Sequence, residues 1–163
     1  MTTPVPEPTI GEAAYRTLLP SEATELDELE HGKVRCTVVT PERAVLDAIC
    51  DMVVLPLYDG ELGVLAGRAP FVGQLGPGEL RLKTGEVSAR FFVDGGFAQV
   101  RNDVVNVLTP KAIPAKDVTA EKAQAARAEA EAIAGTDEVS RTNRARALDR
   151  ARGMAKVAAK NTA

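Results

Sequence analysis

A chain of 163 residues, 45% hydrophobic and 26% charged, holds enough apolar material for one domain with a true core, or one domain plus an appendage. No apolar run approaches the roughly 18 residues of a membrane helix, and a net charge of −3 argues against a nucleic-acid protein, whose footprint is basic. Cys36 and Cys50 are the only cysteines and His31 the only histidine, so no zinc spacing, His-based metal site or Cys–His catalytic pair is available.

Residues 1–32 carry Pro4, Pro6, Pro8 and Pro20, with seven acids against one base. They read as an acidic flexible leader with a helical turn at "SEATELDELE". The first thirty residues have neither a basic n-region nor an apolar h-region, so the expectation is a cytosolic chain with reduced thiols and both cysteines buried.

Residues 33–110 change character. Val34, Cys36 and Val38 alternate with polar neighbours, and short β-rich runs follow: "AVLDAICDMVVLPL", "FVGQL", "GELRLKTGEVSARFFVD", "GGFAQVRND" and "VVNVLTP". Turn signals separate them about every 8–12 residues, the pattern of an antiparallel β-sandwich. "LRLKTGEVSARFF" predicts a hairpin turning near Thr84-Gly85. Tyr58, Phe71, Phe91, Phe92 and Phe97 all fall in this region and are expected in its core.

Residues 111–118 read as a proline-marked linker, and 119–160 as an antiparallel α-helical hairpin. The first helix, "TAEKAQAARAEAEAIAG", is alanine-rich, with Thr119 as N-cap and Gly135 closing it. Thr136 is expected to cap the second, whose first turn holds Asp137 and Glu138. Ile133, Val139, Leu148, Met154 and Val157 are the hairpin's large apolar groups. Alanine buries little area, so the hairpin is expected to pack weakly and to detach readily. Gly153 costs its helix about 1 kcal/mol in propensity. The fold class is thus α+β, an N-terminal antiparallel sandwich followed by a C-terminal helical hairpin.

"DGELGVLAGRAP", residues 59–70, has three glycines near Arg68 and invites a phosphate-loop reading. It matches neither G-x-G-x-x-G nor G-x-x-x-x-G-K-[ST]. Pro70 and "FVGQL" follow instead of a helix, which removes the driving force of a helix N-terminus. These glycines read as turn residues. Ser21, Ser88 and Ser140 lack a G-x-S-x-G context, and Asp47 and Asp51 share one face of a strand, turned to solvent. No cofactor or metal is expected. From Thr136 onward seven bases face three acids. At 100° per residue Arg141, Arg152 and Lys156 fall within about 60° of one another, with Lys160 just beyond. That stripe is either a solvated face or an anion-binding one.

"DGELGVLAGRAPFVGQLGPGELRL" and "VDGGFAQVRNDVVNVLTPKAI" together resemble the ε subunit of bacterial F-type ATP synthase, the δ subunit in mitochondria. There a G-E-L-G-hydrophobic-x-x-G-H-A-P stretch is typical; Arg68 stands where the histidine is usual. The resemblance covers about residues 33–160 and implies a non-catalytic rotor part of a proton-translocating complex, peripheral at the cytoplasmic face of the cell membrane. It implies contacts to the γ subunit, the c-subunit ring and, through the hairpin, the α/β ring, with no nucleic acid and no lipid insertion. Glu61 would face the c ring. Arg68 would belong to the surface touching γ and the ring. Arg141, Arg152, Lys156 and Lys160 would form a basic helix that inhibits ATP hydrolysis. Some members bind ATP through I/L-D-x-x-R-A; here "VTAEKA" has Thr119 for the aspartate and Lys122 for the arginine, so weak or absent ATP binding is expected. Two other classes, a nucleotide-binding regulator and a free-standing anion-binding adaptor, are disfavoured by "VTAEKA" and by "GELGVLAGRAP" respectively.

Overall fold

A computed structural model describes residues 32–162; the leader over residues 1–31 lies outside them. Eight strands come first: β1 (Val34–Val39), β2 (Ala44–Cys50), β3 (Met52–Leu57), β4 (Gly60–Val64), β5 (Phe71–Thr84), β6 (Val87–Arg101), β7 (Val104–Leu108) and β8 (Ala112–Pro114). Helices α1 (Ala120–Ala132) and α2 (Glu138–Thr162) follow a 3-10 turn at Ala115–Asp117. The predicted hairpin exists, with Thr84 paired to Val87 across Gly85-Glu86. Gly85 there has φ +56°, a conformation glycine adopts at no steric cost.

The strands hydrogen-bond in the order β2-β1-β7-β6-β5-β3-β4, with β8 also on β6. Strands β5 and β6 are long enough to serve both layers of a sandwich. Phe71–Leu75 pair with Gly96–Val100 in one layer, beside β7, β1 and β2. Pro77–Thr84 pair with Val87–Asp94 in the other, beside β3, β4 and β8. The register skips Gly76 and Gly95 at the crossing, where an unpaired residue bends a strand. One pair departs from the antiparallel expectation: β1 and β7 run parallel. Between the layers lie Val38, Leu46, Val53, Leu55, Leu75, Leu80, Leu82, Phe91 and Val107, all buried.

Both cysteines are buried and unbridged. Burial pushes the Cys50 thiol up to about 11 and the Cys36 thiol well above its ordinary value. The aromatics divide, contrary to the expectation that all five are core. Phe91 and Phe92 are buried, whereas Tyr58 and Phe97 are exposed. Phe97 falls on the outward parity of β6, since Ala98 and Val100 take the inward positions.

Thr119 caps α1, its Oγ1 accepting from the Lys122 amide at 3.3 Å. For α2 the cap is Asp137, not Thr136. Asp137 accepts from the Ser140 amide at 3.0 Å and from its hydroxyl at 2.6 Å, which holds its carboxyl below the ordinary aspartate value. A carboxylate accepts two bonds here where a threonine hydroxyl accepts one. Gly135 has φ +124° in the interhelical turn, two residues beyond the Ile133 C-cap. Segment 111–118, read as a linker, carries β8 and the 3-10 turn, and so lies against β6.

The hairpin is folded on the second layer through α2. Phe92, Ala115, Val118, Ala123, Met154, Val157 and Ala158 form a small second core. A Cβ at Gly153 would come within 2.5 Å of the Pro77 carbonyl oxygen and 3.2 Å of the Phe92 ring. The glycine that weakens the helix is the one that lets it approach the sheet.

Candidate functional site

Three surfaces stand out, and the first and third gather the residues singled out by sequence. The first is the edge around β4. Tyr58-Asp59 turn β3 into β4, pairing Leu57 with Gly60. Glu61 is exposed on β4 and receives an ion pair from Arg81 Nη2 of β5 at 2.6 Å. Arg68 lies exposed in the following loop, its Nη1 donating to the Gly63 carbonyl at 3.4 Å. Gly67 (φ +78°) donates its amide to Asp103 Oδ1 at 2.7 Å, tying this loop to the β6–β7 turn. Gly60 and Gly67 therefore shape two turns, Gly63 lies within β4 opposite Val54 rather than in a turn, and no helix follows them. Asp47 and Asp51 do not converge: Asp47 takes Arg35, and Asp51 takes Lys33 and the Gly85 amide.

The second surface is the outer face of the first layer. Val72, Phe97 and Leu108 are 71%, 56% and 57% exposed and stand on adjacent strands, with Phe97 directly opposite Leu108. Three large apolar side chains held outward on one rigid sheet form a surface suited to burial against a partner. Sequence reading missed them; the alternation Phe97-Ala98-Gln99-Val100 was the available signal, because inward Ala98 and Val100 force Phe97 outward.

The third surface is the docked hairpin. Its basic stripe divides. Arg141, Arg152 and Lys156 are exposed, and Arg152 pairs with Asp149 at 3.0 Å. Lys160 instead turns to the sandwich and pairs with Glu79 at 2.6 Å. Glu79 is buried and also accepts from Arg90 Nε. Burial raises its pKa, but the bonds from Arg90 and Lys160 outweigh this and hold it below the ordinary glutamate value. Arg150 pairs with Asp94 at 2.7 Å, and Asn161 Nδ2 donates to the Ala115 and Val118 carbonyls. A groove of about 650 Å3 between α1 and α2 is lined by alanines with Arg127, Arg144 and Arg152. Lys122, at the place of the nucleotide-motif arginine, donates to the Asp117 carbonyl at 2.8 Å. Among the described residues no cluster of His, Cys, Asp and Glu suits a metal, and no helix is long and apolar enough to cross a membrane.

The β-sandwich domain family of the ATP synthase delta/epsilon chain matches residues 33–115. An ATP synthase epsilon chain of Rhodopirellula baltica is 64% identical over 81 residues, half of this chain and 63% of that relative's length. One from Syntrophobacter fumaroxidans is 40% identical over 130 residues, covering 78% of this chain and 97% of the relative. In a solved mitochondrial ATP synthase OSCP/F1/c-ring assembly from Euglena gracilis, one chain superposes with a TM-score of 0.67 at 26% identity, covering 93% of this chain and 97% of that one. The sandwich match covers half of this chain, and the similarity to one relative runs along nearly its full length, so the chain belongs to the ATP synthase delta/epsilon chain family as a non-catalytic, epsilon-type subunit.

Proposed function

We propose that the chain is a central-stalk rotor subunit that joins the c-subunit ring to the γ subunit in a proton-driven ATP synthase, at the cytoplasmic face of the cell membrane. The observation that carries this reading is the outward strip Val72–Phe97–Leu108. It lies on the layer that the hairpin leaves free, and γ is the partner that buries it. The β4 edge supplies the second contact, with Glu61 toward the c-ring loops and Arg68 on the surface between ring and γ.

The hairpin acts as a brake on ATP hydrolysis. In the docked state Arg141, Arg152 and Lys156 are outward and Lys160 is held by Glu79, so the full basic stripe reaches the α/β ring only after α2 leaves the sandwich. The second core is small and mostly alanine and valine, so the apolar term holding α2 is modest beside the ion pairs Lys160–Glu79 and Arg150–Asp94. The test is purification of the complex from membranes with the full chain and with a chain ending before Thr119. The full chain co-purifies with γ, and removing the hairpin raises ATPase activity. Failure to recover γ refutes the stalk role; unchanged ATPase activity refutes the brake.

A further inference from the structure

Arg81 and Arg90 stand directly opposite one another on β5 and β6. Like charges in that position destabilise an antiparallel pair, so each needs its own anion. Arg81 has Glu61, on the edge strand β4. Arg90 has Glu79, two residues along β5, whose second oxygen holds Lys160 of α2. The row Glu61–Arg81–Arg90–Glu79–Lys160 therefore runs from the edge of the sheet to the end of the hairpin with two carboxylates for three cations. Arg81 Nε and Arg90 Nη2 are buried donors without a partner, which marks the row as short of negative charge.

We propose that this row couples Glu61 to hairpin docking: when a cationic group of a partner draws Glu61 away, Arg81 becomes an uncompensated cation beside Arg90, and Lys160 releases Glu79. Glu79 keeps Arg90 after the release, so the sandwich is left with no orphaned buried carboxylate. The element biased from both ends is the hairpin, which has a docked and a released arrangement, and the coupling is reciprocal: docking strengthens the Glu61–Arg81 pair by the same factor by which that pair strengthens docking. The coupling is a property of this chain alone; its use in the assembly rests on the reading of Glu61 as a stalk contact.

The test is hydrogen exchange of the full-length chain, read on peptides spanning residues 150–161, with circular dichroism confirming that each variant stays folded. Glu61→Gln is expected to speed exchange there about two- to fivefold, the size of a partly exposed charge coupling. Arg81→Met keeps the aliphatic stem and removes the cation, so exchange is unchanged or slower, and the double variant returns to the parent rate. Lys160→Met speeds exchange and makes it insensitive to Glu61→Gln. Two outcomes overturn the proposal: Glu61→Gln exchanging like the parent, or Arg81→Met speeding exchange as Glu61→Gln does, which is the signature of sheet disruption. If Glu61→Gln loosens the hairpin while γ and the c ring still assemble normally, the coupling stands and the stalk role of Glu61 fails. If assembly is lost with no change in hairpin exchange, the coupling is overturned.

Discussion

Glu79 is a buried carboxylate, and burial alone would make it unfavourable as an ion. Two cations reverse that balance. Its folded pKa lies below the ordinary 4.5, so its contribution is fully present above that value and is lost as pH falls through the depressed one. Hairpin docking should therefore be insensitive to pH at neutrality and weaken only in acid, read as faster exchange of residues 150–161. Glu79→Ala leaves Arg90 and Lys160 facing each other with partial access to water and should lower stability by about 1–3 kcal/mol in denaturant unfolding. The cysteines behave oppositely. With the Cys50 thiol pushed up to about 11 and the Cys36 thiol well above its ordinary value by burial, neither forms appreciable thiolate at pH 8, and a colorimetric thiol reagent should label them only after denaturation. Their burial was legible from the apolar, strand-like runs "VRCTVV" and "AVLDAICDMVVL". The capping residue of α2 was misread: Thr136 and Asp137 are adjacent and both are capping residue types, and the stronger capper, the aspartate, is the one that takes the Ser140 amide.

Elements were legible where one local preference dominates. An alanine-rich run marked α1, an acidic first turn after a capping residue marked α2, and Thr84-Gly85 marked the hairpin within one residue. Pairing direction was not legible: alternation in β1 says which side chains point inward, but nothing about the parallel partner β7. Ala112–Pro114 was read as linker because three residues with a proline carry too little pattern to declare a strand, even though β6 pairs with them. Gly153 shows how propensity misleads when packing is unseen. In an isolated helix Gly153→Ala would gain about 1 kcal/mol. Here the added Cβ meets the Pro77 carbonyl at 2.5 Å, and neither backbone can yield, so docking should lose about 1–3 kcal/mol from overpacking. A lower thermal midpoint with faster exchange in 150–161 supports this; a higher midpoint refutes it.

For the whole molecule, the two outer faces have different owners. One is covered by the chain's own hairpin, and the other leaves Val72, Phe97 and Leu108 exposed. Phe97→Asp places a charge where the side chain is already outward, so the isolated protein should unfold within about 0.5 kcal/mol of the parent. Recovery of γ in a pull-down should nevertheless fall at least tenfold; undiminished recovery would move the γ contact elsewhere. Sequence located the family signature and the two-part architecture, because glycines and alanines write their roles locally. It did not locate the ion row, because Glu61, Glu79, Arg90 and Lys160 are brought together by strand register and helix docking across a separation of 99 positions.

Strands β5 and β6 enter both layers, and this has a mechanical consequence. The layers of an ordinary sandwich can slide, since only side-chain contact resists shear. Here continuous backbone, clasped along 13 paired positions, spans the crossing like a spar. A twisting load applied at the β4 edge would reach the Phe97 face through covalent bonds and a ladder of hydrogen bonds, a stiffer path than side-chain contact between separate layers.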